Sequence, residues 1–172
     1  MVHTNSRGLK PVGALARVQV VFFEVDGVFT DGKTWQDQAG QWRRTFSVRD
    51  TMGLRALRKA GLKVCILTPV LSTEIRAHFE KVGVDVFKDH CLEPQAAQSH
   101  ILKAFGLTAE IAAFVGETAN GEVQLRTQAG SQYVAARAGG DGAVLEISNL
   151  ILQQIASRSA DATDIRTKVG EL

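Results

Sequence analysis

The chain alternates between short unbroken apolar runs and longer stretches whose apolar residues recur every three or four positions. The run VQVVFFEV, ending at Val25, lacks polar alternation, which predicts a strand buried on both faces. LKVCILT, VDVFKD, IAAFVGE and SQYVAA read as further strands. Between them, RDTMGLRALRKAG places Met52, Leu54, Leu57 and Ala60 near helical spacing and stops at Gly61. STEIRAHFEKVG predicts a second helix, capped by Ser72 or Thr73 and stopped at Gly83. EPQAAQSHILKAFG predicts a third, with Pro94 in its first turn. NGEVQLRTQAG reads as a fourth helix and DGAVLEISNLILQQIAS as the last. One segment breaks the alternation. DGKTWQDQAGQWRRTF predicts a β-hairpin over about 32–46, turning at DQAG with Trp35 and Trp42 on its arms.

Strands alternating with helices need crossover connections, so the pattern predicts an α/β fold with a Rossmann-like parallel sheet flanked by helices. The expected organisation is a mobile tail over 1–16, a single domain over 17–157 and a polar tail over 158–172. Such sheets bind ligands beyond the carboxyl ends of their strands. Those ends here are EVDG, LTPV, KDHCLEP and VGET. Neither the dinucleotide glycine fingerprint nor the P-loop signature is present.

Composition narrows the function classes. A length of 172 residues suffices for one domain with a full core. A net charge of +2 is too near balance to point to nucleic acid. No apolar run approaches the ~18 residues of a membrane span, and the N-terminus lacks the apolar core of a secretory signal. A cytoplasmic protein without a membrane partner is expected. Cys65 and Cys91 show no disulfide or zinc pattern, and His78, His90 and His100 show no ligand spacing and are expected at the surface.

The order of VDGVFTDG, the hairpin, SVRDTMGLRALRKAG, ILT, AAFVGE and RAGGDGAVLE resembles the haloacid dehalogenase-like phosphatases. The likeness is to the small capless branch that contains 3-deoxy-D-manno-octulosonate 8-phosphate phosphatase, and it runs from about Val18 to Ala156. It implies the haloacid dehalogenase fold with no large cap domain. It also implies an Asp nucleophile at the first strand end, a second Asp two residues on as acid/base, and a Thr or Ser at the second strand end holding phosphate. A later Lys neutralises charge, and acidic residues at the fourth strand end bind Mg²⁺ with the nucleophile.

Several of these positions have changed. The nucleophile position holds Glu24, whose extra methylene moves the carboxylate by about 1.5 Å. A misplacement near 1 Å can cost about 100-fold in rate. Asp26 is intact at the acid/base position, and Thr68 at the phosphate position. The Gly and Arg that follow it in the family become Pro69 and Val70, and Pro69 has no N–H to face a phosphate. The family Lys falls at Pro94 or Gln95. Where the family reads G-D-D and a further Asp, GETANG keeps Glu117 but puts Thr118 and Gly121 in place of two carboxylates. Leu145 replaces an Arg.

The resemblance therefore implies a catalytically impaired relative, kept for binding or assembly. Two alternatives stand beside it: a divergent active Mg-dependent sugar-phosphate phosphatase, and a sensor that binds an acidic sugar without turnover. Weakly held Mg²⁺ is expected on Glu24, Glu117 and the Asp26 carbonyl. Arg49, Gly140 and Gly142 are candidate substrate contacts. Each residue also has a plainer role. Asp26 can cap its turn, Asp50 can cap the helix that follows it, and the Gly139–Gly142 run can be a flexible turn. Members of this branch resemble one another in forming tetramers through the hairpin. The aromatic hairpin here implies a homotetramer.

Overall fold

A computed structural model describes the backbone of residues 12–170 and the side chains of residues 13–160. The elements run β1 (Val20–Phe23), β2 (Trp35–Gln36), β3 (Trp42–Arg43), α1 (Val48–Lys59), β4 (Lys63–Leu67), α2 (Thr73–Val82) and β5 (Val86–Lys88). They continue with α3 (Pro94–Phe105), β6 (Ala112–Glu117), β7 (Val123–Thr127), β8 (Gln132–Val134) and α4 (Ala143–Gly170). One sheet has the order β5-β4-β1-β6-β7-β8, and β2 and β3 form a separate hairpin. β5, β4, β1 and β6 are parallel, while β7 and β8 are antiparallel.

β1 is fully buried because both its faces are used. On one face Val21, Phe23, Val64, Ile66, Ala113 and Val115 pack in a cluster with Leu54, Phe79 and Ile147 of α1, α2 and α4. On the other, Phe22, Cys65 and Leu67 meet Leu102 of α3. Right-handed crossovers account for the split, because α3 makes the one connection that returns across the sheet. Stop signals fall where expected: Gly83 and Gly106 take left-handed φ values of 80° and 67° at the ends of α2 and α3. The Ser72 side chain caps α2 by accepting from the Ile75 amide.

Three expectations are corrected. NGEVQLRTQAG is not a helix but a tight turn followed by β7, so the sheet is mixed. Thr118 Oγ1 accepts from the Asn120 and Glu122 amides, and Gly121 adopts φ 76°, which turns the chain straight back. Val123, Leu125 and Thr127 are buried and alternate with Gln124 and Arg126, the period of a strand. The mobile tail expected over 1–16 is ordered in its last residues. Val12–Arg17 is a turn of 3-10 helix with Leu15 fully buried, and residues 1–11 lie outside the described residues. The polar stretch from 158 continues α4 as far as Gly170.

Candidate active site

The carboxyl end of β1 leads into a turn closed by amide bonds from Val28 and Phe29 to the Val25 carbonyl. The turn projects Glu24 and Asp26 towards a cleft of about 780 Å³ beyond the strand ends. Thr68, Pro69, Pro94 and Gln95 line the same cleft, so the structure brings together Glu24, Asp26, Thr68 and the first turn of α3.

The two acidic side chains on the turn are held differently. Glu24 Oε2 accepts from the Glu117 amide at 3.1 Å and lies against the Gly116 α-carbon, where a β-carbon would come within 2.8 Å of it. Asp26 is clamped by Arg44, which reaches in from the end of the hairpin. Nε of Arg44 donates to Oδ1 at 2.8 Å and Nη2 to Oδ2 at 3.1 Å, a two-pronged pair. Thr30 Oγ1 adds a third bond to Asp26 at 3.2 Å. The Arg44 side chain is only 9% exposed, and its backbone amide donates to Glu74 Oε1. Its pKa rises above the ordinary arginine value, chiefly through the bonds to Asp26. Sequence reasoning missed Arg44. Its only local signal is the basic pair Arg43–Arg44 at the end of the hairpin. Arg43 does stay in the hairpin, bonding Asp37.

At the second strand end Thr68 is buried, and its hydroxyl accepts from the Val70 amide at 3.2 Å. That amide is the first donor after Pro69, and it is turned inwards. Glu117 rests its carboxylate over Gly27, where a β-carbon would come within 2.3 Å. Gly27 therefore meets two demands, a φ of 76° and room for that carboxylate.

The remaining candidates lie apart from this cleft. Arg49 is exposed and pairs loosely with Asp141 at 3.8 Å. The Gly140 amide donates to the Val28 carbonyl, and the Gly142 amide to Asp50, so both serve internal bonds. Asp50 caps a helix, but α4 rather than the helix that carries it: its oxygens accept from Gly142, Val144 and Leu145. Burial pushes its pKa up, and these three bonds pull it down. His78 is not at the surface as expected but half-buried, its ring stacked on Phe46 at 4.0 Å. Desolvation lowers its pKa.

A metal would find oxygen donors on Glu24 and Glu117, the kind that suits Mg²⁺ with water completing the shell. The donors fit in type and are few in number, since the described residues contain no group of three or more metal-ligating side chains. Asp26 has its charge already matched by Arg44.

No protein-family model matches the chain. It is 29% identical over 153 residues to the 3-deoxy-D-manno-octulosonate 8-phosphate phosphatase of Haemophilus influenzae, covering 81% of this chain and 85% of that protein. The cobalt-bound structure of the Haemophilus influenzae phosphatase superposes with a TM-score of 0.72 at 27% identity, covering 83% of this chain and 92% of that one. The phosphatase of Moraxella catarrhalis, in complex with magnesium, phosphate and KDO, shares the fold with a TM-score of 0.74 at 21% identity, over 88% and 95% of the two chains. With its mostly parallel sheet and no large cap domain among the described residues, the chain has the haloacid dehalogenase-like fold, and in sequence and structure it is similar to the octulosonate-phosphate phosphatases.

Proposed function

We propose that this protein is a catalytically impaired relative of the octulosonate-phosphate phosphatases, retained for binding or assembly. The observation that carries the reading is the clamp on Asp26. A general acid must deliver a proton to the leaving oxygen. Here both carboxyl oxygens of Asp26 are engaged by the Arg44 guanidinium, so the group is turned to the arginine rather than free to face a leaving oxygen. Glu24 supports the same reading, since one of its oxygens is bonded to the Glu117 amide. The phosphate position adds no free donor beyond Thr68, because Pro69 has none and the Val70 amide is engaged.

Magnesium supplies charge neutralisation at phosphate in related enzymes, and Glu24, Glu117 and the Asp26 carbonyl are the groups that would hold it here, weakly and through water. The ligand class that follows from kinship is a phosphosugar or an acidic sugar, bound without turnover. A second reading has one observation in its favour: Glu24, Asp26 and Thr68 line a single cleft, as a divergent active phosphatase would require. Phosphate release from a panel of phosphosugars separates the two. Wild type and Glu24→Gln should give the same background, and release that depends on Glu24 would establish the active enzyme.

Assembly is the other half of the proposal. Trp35 and Trp42 are 53% and 60% exposed on the two-stranded ribbon. The ribbon's end is fixed to the domain by Arg44 and by Phe46 on His78. A fixed ribbon with bare indoles suits a homotetramer in which the hairpins meet about a symmetry axis.

A further inference from the structure

The cleft extends well beyond the acidic turn, and the fold explains why. The face of the sheet opposite α1 and α4 is covered by α3 over β1 and β4. Because β6 returns as the antiparallel strand β7, no crossover helix lies over β6–β8 on that face among the described residues. Phe114 and Arg126 are paired across β6 and β7, so both project from this uncovered face. Phe114 stacks on Phe22 with ring centroids 5.5 Å apart, so Phe22 covers one of its faces and the other is on the side of β7, where Arg126 is its partner. Arg126 is exposed and is the one Lys or Arg among the residues lining the cleft. Gln98 and Gln128 line it as well.

We propose that this cleft binds a small organic carboxylate with a flat apolar body, its carboxylate on Arg126 and its body on Phe114. Size, shape and charge each support the assignment. A volume of about 780 Å³ suits a small molecule. The face of Phe114 that Phe22 does not cover offers a flat surface to a ring beside Arg126. A guanidinium matches a carboxylate in planar geometry, and the glutamine amides can bond its remaining lone pairs. Glu24 is level with Gly116, two residues further along the sheet and two strands away, so its α-carbon is roughly 12 Å from that of Arg126. An anion is thus drawn to the Arg126 end and repelled from the acidic turn. The proposal does not depend on whether that turn retains phosphatase activity.

Calorimetric titration of the full chain with a naphthalene carboxylate, its uncharged carboxamide and inorganic phosphate tests the assignment. The carboxylate should bind, the carboxamide at least about tenfold more weakly, and phosphate more weakly still. Arg126→Gln should weaken the carboxylate about tenfold and leave the carboxamide unchanged. Gln98→Trp, which obstructs the cleft from α3, should abolish both while the melting temperature confirms the fold. Equal binding of acid and amide would overturn the proposal. So would an unchanged affinity in Arg126→Gln, phosphate binding as tightly as the carboxylate, or no binding by ~10 mM.

Discussion

Asp50 sits in the first turn of α1 yet satisfies three amides at the start of α4, at distances of 2.9–3.2 Å. It is 1% exposed, so no water can replace it. Asp50→Ala would leave those donors buried and unpaired, at a cost of about 2–4 kcal/mol in urea unfolding. Asp50→Asn keeps one acceptor and should recover part of the loss. Tyr133 offers a second test at the same scale. Burial and the bond to Glu146 push its phenol up to about 12, from an ordinary value of 10.0. A raised folded value means stability that is complete below pH 10.0 and lost as pH rises towards 12. Tyr133 is the chain's only tyrosine, so ultraviolet titration reads it directly. The midpoint should lie well above that of the urea-unfolded chain. Tyr133→Phe should flatten the alkaline loss of stability.

Among the elements, the loop before α4 depends most on what its sequence lacks. A β-carbon at Gly139 would lie 2.0 Å from the Gly27 carbonyl oxygen and 2.8 Å from that of Thr30. Both are backbone atoms with no rotamer to yield. Gly139→Ala should therefore destabilise the chain by about 3 kcal/mol or more, or leave it insoluble. The GGDG run is a packing joint between this loop and the acidic turn, a role its sequence left open. Other elements were legible because their signals are local: the unbroken β1 run, the caps of α2, and the DQAG turn, where Asp37 accepts from the Ala39 and Gln41 amides. β7 was misread although Val123, Leu125 and Thr127 alternate plainly. A five-residue strand is short, and expected crossovers argued for a helix. Arg44 on Asp26 and Asp50 on α4 were not legible, because each joins segments 18 or more residues apart. Nothing in local pattern records such a contact.

For the whole molecule, the account separates assembly from chemistry. Tetramer contacts need apolar area, which Trp35 and Trp42 still present. Light scattering coupled to size exclusion should give four times the chain mass at ~10 μM. Trp35→Ala with Trp42→Ala should give a folded monomer, and a wild-type monomer at that concentration would remove the assembly reading. No helix among the described residues is long and apolar enough to cross a membrane. The chemistry turns on a single quantity, the turnover number for 3-deoxy-D-manno-octulosonate 8-phosphate with saturating Mg²⁺. With Asp26 clamped by Arg44, Glu24 in the nucleophile position and no lysine at Pro94, the account predicts a value at least ~100-fold below the roughly 10 s⁻¹ typical of enzymes. A turnover number within about tenfold of that typical value would contradict it.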